Sequence, residues 1–355
     1  MIDPRQAFAL LALSLCWTGT ALAQPEPIFA SVSATLETEN VDLDPDDPAI
    51  WINTTDPEKS RVIGTDKDVG LVVFDLDGKI VQRLNDGRLN NVDIRQDVAV
   101  GSETLSVVAA SRRNDDTIVL YTVDATGTLT QASPFAFPGA PRKIDDDIYG
   151  IGFYHDAAAQ RLFVIASFKT GEIMQWEVTS TAGQLSLAFT RELAVPTQPE
   201  GVVADDELGF IYVGEEDGGL WRFAAAPDAD TSGHLVDKVG STCLPEDDLE
   251  GLAVVKGADN SGYILASAQG VNRYVLYTRQ PDADGNQPCY GSFNLVTGAT
   301  DPVSETDGLD VTTVPLSDRF PKGLMVVQDD RNEGFNRNFK FVSWADVMQA
   351  MQLAD

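Results

Sequence analysis

The feature that most constrains this chain is a strand-built unit of about 50 residues that recurs along its length. In each unit an apolar run ends in small and polar residues, a short turn follows, and a second strand carries an aromatic. The first runs end at Thr65-Asp66-Lys67, Ser111-Arg112-Arg113, Ser167-Phe168-Lys169, Gly214-Glu215-Glu216, Ser267-Ala268-Gln269 and Val327-Gln328-Asp329. The aromatics are Phe74, Tyr121, Trp176, Phe223 and Tyr277, spaced 47, 55, 47 and 54 residues apart. Turn signals follow at Asp77-Gly78, Thr126-Gly127, Ala182-Gly183 and Asp284-Gly285. Repeats of this length and make-up predict an all-β, six-bladed β-propeller in a single domain. A pair of β-sandwiches would place its turns roughly every 8 to 12 residues instead. The last unit, around Leu324 to Trp344, has no clear match to the second aromatic. The ring is therefore expected to close by pairing strands from the two chain ends, with a short capping helix from Trp344 to Met351.

Residues 1–23 read as a signal peptide rather than as fold. Arg5 precedes an apolar run from Ala7 to Trp17 that is too short to cross a bilayer, and Ala21-Leu22-Ala23 is a small-x-small cleavage site. A lipid anchor at Cys16 is disfavoured by the bulky Leu15 before it. The propeller is then expected over 24–355, secreted or periplasmic after cleavage near Ala23, with no later membrane segment and as a monomer. Cleavage leaves Cys243 and Cys289, and an even pair in an exported chain favours a disulfide over two free thiols. Closing a loop of about 47 residues would stabilise by about 4 kcal/mol.

Charge decides which chemistry is open. Against 25 Lys+Arg stand 55 Asp+Glu, a formal charge of -30, so neither nucleic acid nor an anionic membrane is expected as a partner. The two histidines, His155 and His234, do not suffice for a zinc site built on several His or for a His-nucleophile phosphatase. Neither remaining cysteine begins a C-x5-R phosphate loop. The carboxylates cluster in the connections: Asp42, Asp44, Asp46 and Asp47; Asp145, Asp146 and Asp147; Glu246, Asp247, Asp248 and Glu250; Glu305, Asp307 and Asp310. Asp47, Asp97, Asp147, Asp206, Asp248 and Asp307 step along at about one per unit. In a propeller, equivalent connections meet at one mouth of the channel. Two unit charges 4 Å apart repel by about 4 kcal/mol at an effective dielectric near 20, so converging carboxylates must be protonated or hold a hard cation. An all-oxygen set suits Ca²⁺. No local calcium loop supplies it, because Asp42-Leu43-Asp44-Pro45-Asp46-Asp47 lacks the Gly and Glu that an EF-hand requires. Lys67, Arg113 and Lys169 recur at one place in three successive units, whereas the fourth carries Glu216. Three cations beside an acidic cluster make a site for a polyanion, most simply phosphate.

Asp46-Asp47-Pro48-Ala49-Ile50-Trp51 and Gly87-Arg88-Leu89-Asn90-Asn91-Val92-Asp93-Ile94-Arg95 resemble the β-propeller phytases, calcium-dependent alkaline phytases. The similarity continues through Asp147-Ile148-Tyr149-Gly150, Glu200-Gly201, Tyr212-Val213-Gly214-Glu215-Glu216-Asp217, Asp248-Leu249-Glu250-Gly251-Leu252 and Thr306-Asp307-Gly308-Leu309-Asp310. The resemblance implies a secreted 3-phytase that uses several Ca²⁺ ions to remove phosphate from myo-inositol hexakisphosphate, taken as its calcium complex. One phosphate would be cleaved while an adjacent one is held, by direct attack of a calcium-activated water. The implied calcium ligands are Asp46, Asp47, Tyr149, Glu200, Glu216, Asp248, Glu250 and Asp307. Lys67, Arg113 and Lys169 would bind phosphate, and Glu200, Glu216 and Tyr149 would flank the attacked group. This chain has Asp68 after Lys67, where the family often has a second Lys. Asn90 and Asn91 are expected to satisfy backbone groups in a turn. The competing readings are a calcium-dependent lactonase or esterase propeller, which would need no cation trio, a non-catalytic binding propeller, and an acidic coat adapted to salt.

Overall fold

The computed structural model describes residues 26–41, 43–136, 147–181, 184–331 and 337–354, with no account of the side chains of 133–136. The signal segment 1–23 with Arg5 and Cys16, together with Asp42, Asp145, Asp146 and Ala182-Gly183, lies outside these residues.

Six sheets surround a central channel. Their innermost strands are Pro45–Trp51, Leu89–Val100, Ile148–Asp156, Pro199–Asp205, Leu249–Lys256 and Leu309–Thr312. Each touches the next, and Leu309–Thr312 meets Pro45–Trp51 to complete the ring. We number the blades one to six from these strands. Within each blade the chain runs outward through antiparallel pairings. The unit legible in the sequence is the middle of a blade, its second and third strands. The aromatics Phe74, Tyr121, Trp176, Phe223 and Tyr277 lie on third strands and are fully buried or nearly so. Tyr121, for example, fills the contact between blades one and two beside Trp51, Ile63 and Val73. In blade six the matching register position is Val342, opposite Met325, which is why the aromatic series stops there.

The ring closes as the sequence implied. Leu36–Glu37 from the N-terminal side pairs antiparallel with Asn338–Ser343 and becomes the outer strand of blade six. A second N-terminal strand, Ile28–Ser33, adds in parallel to Cys289–Val296 and gives blade five a fifth strand. The fully buried Lys340 clasps this closure, its Nζ 2.5 Å from Glu37 Oε2, 2.5 Å from Asp301 Oδ1 and 3.3 Å from Asp329 Oδ2. Those carboxylates outweigh burial and hold the ammonium above its ordinary pKa. Where blades six and one meet, the Phe339 ring lies against Gly64, and a Cβ there would collide with it. The helix Trp344–Met351 caps the core shared by blades five and six through Trp344, Val347 and Met351.

Cys243 and Cys289 form a disulfide across 46 residues, joining the link between blades four and five to the outer part of blade five. Cys243→Ser is expected to lower Tm by about 8 °C in oxidising buffer, from about 4 kcal/mol at about 2 °C per kcal/mol. Calorimetry checks this, and the difference should vanish when both proteins are reduced.

Candidate active site

The mouth is built by one irregularity repeated around the ring. In five blades the pairing of the innermost strand with its neighbour slips near its start: between Pro45 and Pro48, Leu89 and Val92, Ile148 and Ile151, Pro199 and Val202, and Leu249 and Leu252. Such bulges re-aim a side chain away from the regular pleat. The residues carried there are Asp46, Asn90, Tyr149, Glu200 and Glu250, and Asp307 takes the matching place before Leu309–Thr312. The next residue is Gly150, Gly201, Gly251 or Gly308 in four blades. A Cβ on Gly150 would collide with the Glu200 carbonyl oxygen, and one on Gly251 would lie 2.8 Å from that of Asp307. Glycine therefore lets successive bulges nest.

A second ring is set by a recurring backbone bond. Lys67 N–H donates to Asp44 O (2.7 Å), Arg113 to Arg88 (2.8 Å), Lys169 to Asp147 (2.9 Å), Glu216 to Gln198 (3.0 Å) and Gln269 to Asp248 (2.9 Å). Lys67, Arg113, Lys169, Glu216 and Gln269 thus occupy equivalent positions, with cations on blades one to three. In blade six the corresponding bond comes from Asp330, to Ser304 O at 3.3 Å. The match is one residue later than the sequence spacing suggested with Asp329, which is buried and faces Lys340 instead.

The two rings interlock. Lys67 Nζ lies 2.9 Å from both Asp46 Oδ2 and Asp307 Oδ2, and Gln269 Nε2 donates to Asp307 Oδ1 at 2.5 Å. Burial works against the Lys67 charge, but Asp46 and Asp307 outweigh it and hold the pKa above the ordinary lysine value. Across the channel, Glu200, Glu216 and Glu250 each offer a carboxylate oxygen, all within 4.8 Å of one another. Asn90 joins the halves: its Nδ2 donates to Glu200 Oε1 at 2.9 Å while its Oδ1 accepts from Arg113 NH1 at 2.9 Å. The Tyr149 ring has the Arg113 guanidinium 5.5 Å and the Lys169 ammonium 5.1 Å from its centroid. Gln198 Nε2 donates to Glu216 Oε1 at 2.6 Å.

Burial, reinforced by neighbouring like charges, governs protonation of the carboxylates here. Burial, reinforced by Glu200, pushes Glu250 well above the usual carboxylate range. Burial also raises Asp46, with Lys67 opposing it. Glu216 is pushed up to about 7, by burial first and then by Glu200 and Asp248, and Asp307 to about 6, by burial against the pull of Lys67. Asp248 is raised by burial and opposed by its hydrogen bond with Glu250. Glu200, then burial, raises the Tyr149 hydroxyl.

The predicted residues do not all meet. Asp47 turns between blades one and two, where its Oδ2 accepts from Val92 N–H at 3.0 Å. The one-per-blade step of aspartates does not mark a single structural position. Asp97 is exposed in a second bulge of Leu89–Val100, near the strand's far end, and Asp206 sits deeper in the channel, 2.8 Å from Arg95 Nε. Asp310 also belongs to that deeper layer, its Oδ2 accepting from Ile50 N–H at 2.8 Å. The expectation that Asn90 satisfies backbone groups in a turn fails, because its amide bridges a guanidinium and a carboxylate. Aligning the units on their innermost strands would have found it, because it occupies the ring position of Glu200.

The donor set fits a hard cation. It is all oxygen, the separation within the Glu200–Glu216–Glu250 group suits Ca–O distances of about 2.4 Å, and Glu250 Oε2 and Asp46 Oδ1 are buried without a hydrogen-bond partner. Cations on one side and unsatisfied carboxylate oxygens on the other can receive a metal-bridged anion.

Known proteins are similar to this chain. The chain is 37% identical over 361 residues to a 3-phytase of Bacillus subtilis (strain 168), covering 98% of this chain and 92% of that protein. Among solved structures, the β-propeller domain of Myceliophteria_thermophila Cps50 (Swd1) is similar over 86% of this chain and 85% of that one, with a TM-score of 0.48 and 12% identity. A lactonase or a non-catalytic propeller is displaced by the sequence matches, which extend to the Phytase family over residues 5–355. The chain belongs to the phytase family.

Proposed function

We propose that this phytase is a secreted, calcium-dependent 3-phytase that removes phosphate from myo-inositol hexakisphosphate by direct attack of water. The observation that carries the reading is the Glu200–Glu216–Glu250 group facing the arc of Lys67, Arg113 and Lys169. Asp46, Glu200, Glu216, Asp248, Glu250 and Asp307 would hold several Ca²⁺ ions, with Tyr149 beside them and Asp47 contributing from between the blades. When bound, Ca²⁺ would neutralise these carboxylates, act as a Lewis acid on the phosphoryl group and ease deprotonation of the attacking water.

The chain's own residues do the positioning. Lys67, Arg113 and Lys169 bind phosphate oxygens, and the cations against Tyr149 fix its ring so that its hydroxyl can orient water or substrate. Water attacks phosphorus, the P–O bond to the inositol breaks, and the departing oxygen takes a proton as inorganic phosphate is released. No side-chain nucleophile is required, and His155 and His234 have no part in it. Cleavage near Ala23 would deliver the domain 24–355 to an oxidising compartment, where the Cys243–Cys289 disulfide persists. Among the described residues no helix is long and apolar enough to cross a membrane.

The test is phosphate release from sodium phytate by mature protein stripped with EGTA and then titrated with Ca²⁺. Release should be absent without calcium and rise with it. Full release in EGTA would overturn the calcium dependence and leave the phytase activity standing.

A further inference from the structure

Blade two departs from the chemistry of the inner ring. In the other five blades that place holds Asp46, Tyr149, Glu200, Glu250 and Asp307, four carboxylates and a phenol, whereas blade two puts the neutral amide of Asn90 there. The bulge between Leu89 and Val92 carries Asn90, and its neighbour is tied to blade three. Asn91 N–H donates to Ser111 Oγ at 3.1 Å, and the Ser111 hydroxyl donates in turn to Tyr149 O. Asn90 itself is fully buried.

An amide has two unlike ends, and Asn90 places each on a charged partner. Its Nδ2 donates past blade three to Glu200 Oε1 of blade four at 2.9 Å, and its Oδ1 accepts from Arg113 NH1 of its own blade at 2.9 Å. A carboxylate only accepts and a guanidinium only donates, so a single orientation of the amide serves both. The second Nδ2 hydrogen goes to Asn91 Oδ1 at 2.7 Å. Charge-assisted bonds in a buried setting are strong and geometrically exacting. A carboxylate at this place would repel Glu200 and engage Arg113 as an ion pair. An aliphatic side chain would leave each of them one bond short.

We propose that Asn90 is a positioning residue that couples the metal group to the phosphate arc, holding the Glu200 carboxylate and the Arg113 guanidinium in one fixed relation. The inference rests on the reading of Glu200 as a calcium ligand and Arg113 as a phosphate-binding residue. A cation that orders Glu200 also orders Arg113 through the amide, so the anion then meets a side chain already in place. The coupling is reciprocal: whatever factor calcium adds to anion affinity, the anion adds to calcium affinity.

The test is calorimetric, on wild-type protein, Asn90→Ala, Asn90→Asp, Arg113→Ala and the double variant Asn90→Ala with Arg113→Ala. Affinity for the non-hydrolysable hexasulfate ester of inositol is measured in EGTA and at saturating Ca²⁺, and affinity for Ca²⁺ with and without the ester. The factor by which calcium tightens the ester should fall about tenfold in Asn90→Ala. Asn90→Asp keeps the shape and loses the donor to Glu200. It should bind Ca²⁺ at least as tightly as wild type, through the added carboxylate, while the ester weakens about tenfold because Arg113 is neutralised. General loosening of the mouth would weaken both ligands. Asn90→Ala should add less than about twofold to the ester loss of Arg113→Ala. A coupling factor within about twofold of wild type in Asn90→Ala, parallel weakening of both ligands in Asn90→Asp, or additive losses in the double variant would each overturn the assignment. Should Asn90→Ala not fold, the isosteric Asn90→Asp decides alone. Failure of wild-type protein to bind Ca²⁺ or the ester would instead strike at the reading of the site beneath it.

Discussion

Glu216→Ala is expected to lower kcat for phytate by about a thousandfold while leaving the protein folded at saturating calcium. The carboxylate stands in the group formed with Glu200 and Glu250, and Gln198 aims it by a 2.6 Å bond. Removing one donor from a centre that stabilises developing phosphoryl charge forfeits about 4 kcal/mol of transition-state stabilisation, which converts to that factor. The fold should survive because Glu216 is only half-buried and lies outside the core clusters. Far-ultraviolet circular dichroism with a Tm determination supplies the control, and kcat on phytate the result. Retained activity would remove Glu216 from the centre. Glu216→Gln should be almost as damaging, because it preserves shape and loses charge.

The second large effect concerns pH and metal together. Burial raises the folded-state pKa of Asp310 and Glu216 to about 7 and of Asp307 to about 6, above their unfolded values. For acids shifted upward, the folded form binds more protons than the unfolded chain between the two pKa values. Stability is therefore lost as pH rises from about 4 to about 7. The calcium-stripped protein should lose on the order of 5 °C in Tm between about pH 5 and about pH 8. Calcium favours the charged carboxylates, so its stabilisation should be larger at the higher pH, reaching about 8 °C near 1,000-fold saturation of one site. Asp310→Asn should flatten part of the slope with or without calcium, because Asp310 sits below the mouth and bonds Ile50 N–H. Scanning calorimetry across pH, with EGTA and with calcium, decides this. A Tm that rises steadily over that range in EGTA would show that the cluster is not strained by its own charge.

Much of this could be read from the residues in order. The six first-strand ends gave the blade count, and the aromatic spacing from Phe74 to Tyr277 supported it in five of them, because each aromatic fills the equivalent interface between neighbouring blades. The recurrence of Lys67, Arg113 and Lys169 marked a true structural position, because second strands end at one level of the mouth and the same backbone bond fixes each residue. The step of aspartates misled for the same reason that the cations succeeded. Spacing alone cannot tell a residue at the start of an innermost strand from one at its far end. Asp97 and Asp206 share an interval with Asp307 but not its height in the channel.

By itself the sequence determined what repetition and local chemistry can encode: strands, turns, six blades, an acidic mouth with a basic arc, and a cysteine pair. Whether a carboxylate joins the Glu200–Glu216–Glu250 group, as that of Glu250 does, or turns to accept from Val92 N–H, as that of Asp47 does, was decided by the tertiary structure. So was the joining of Glu200 to Arg113 through Asn90, residues of two different blades. The physical reason is that each bulge shifts its strand's register and re-aims one side chain, and the target of that side chain belongs to a neighbouring or opposite blade. Contacts of 2.9 Å between residues 110 and 240 positions apart, Asn90 with Glu200 and Lys67 with Asp307, exist only once the ring has closed.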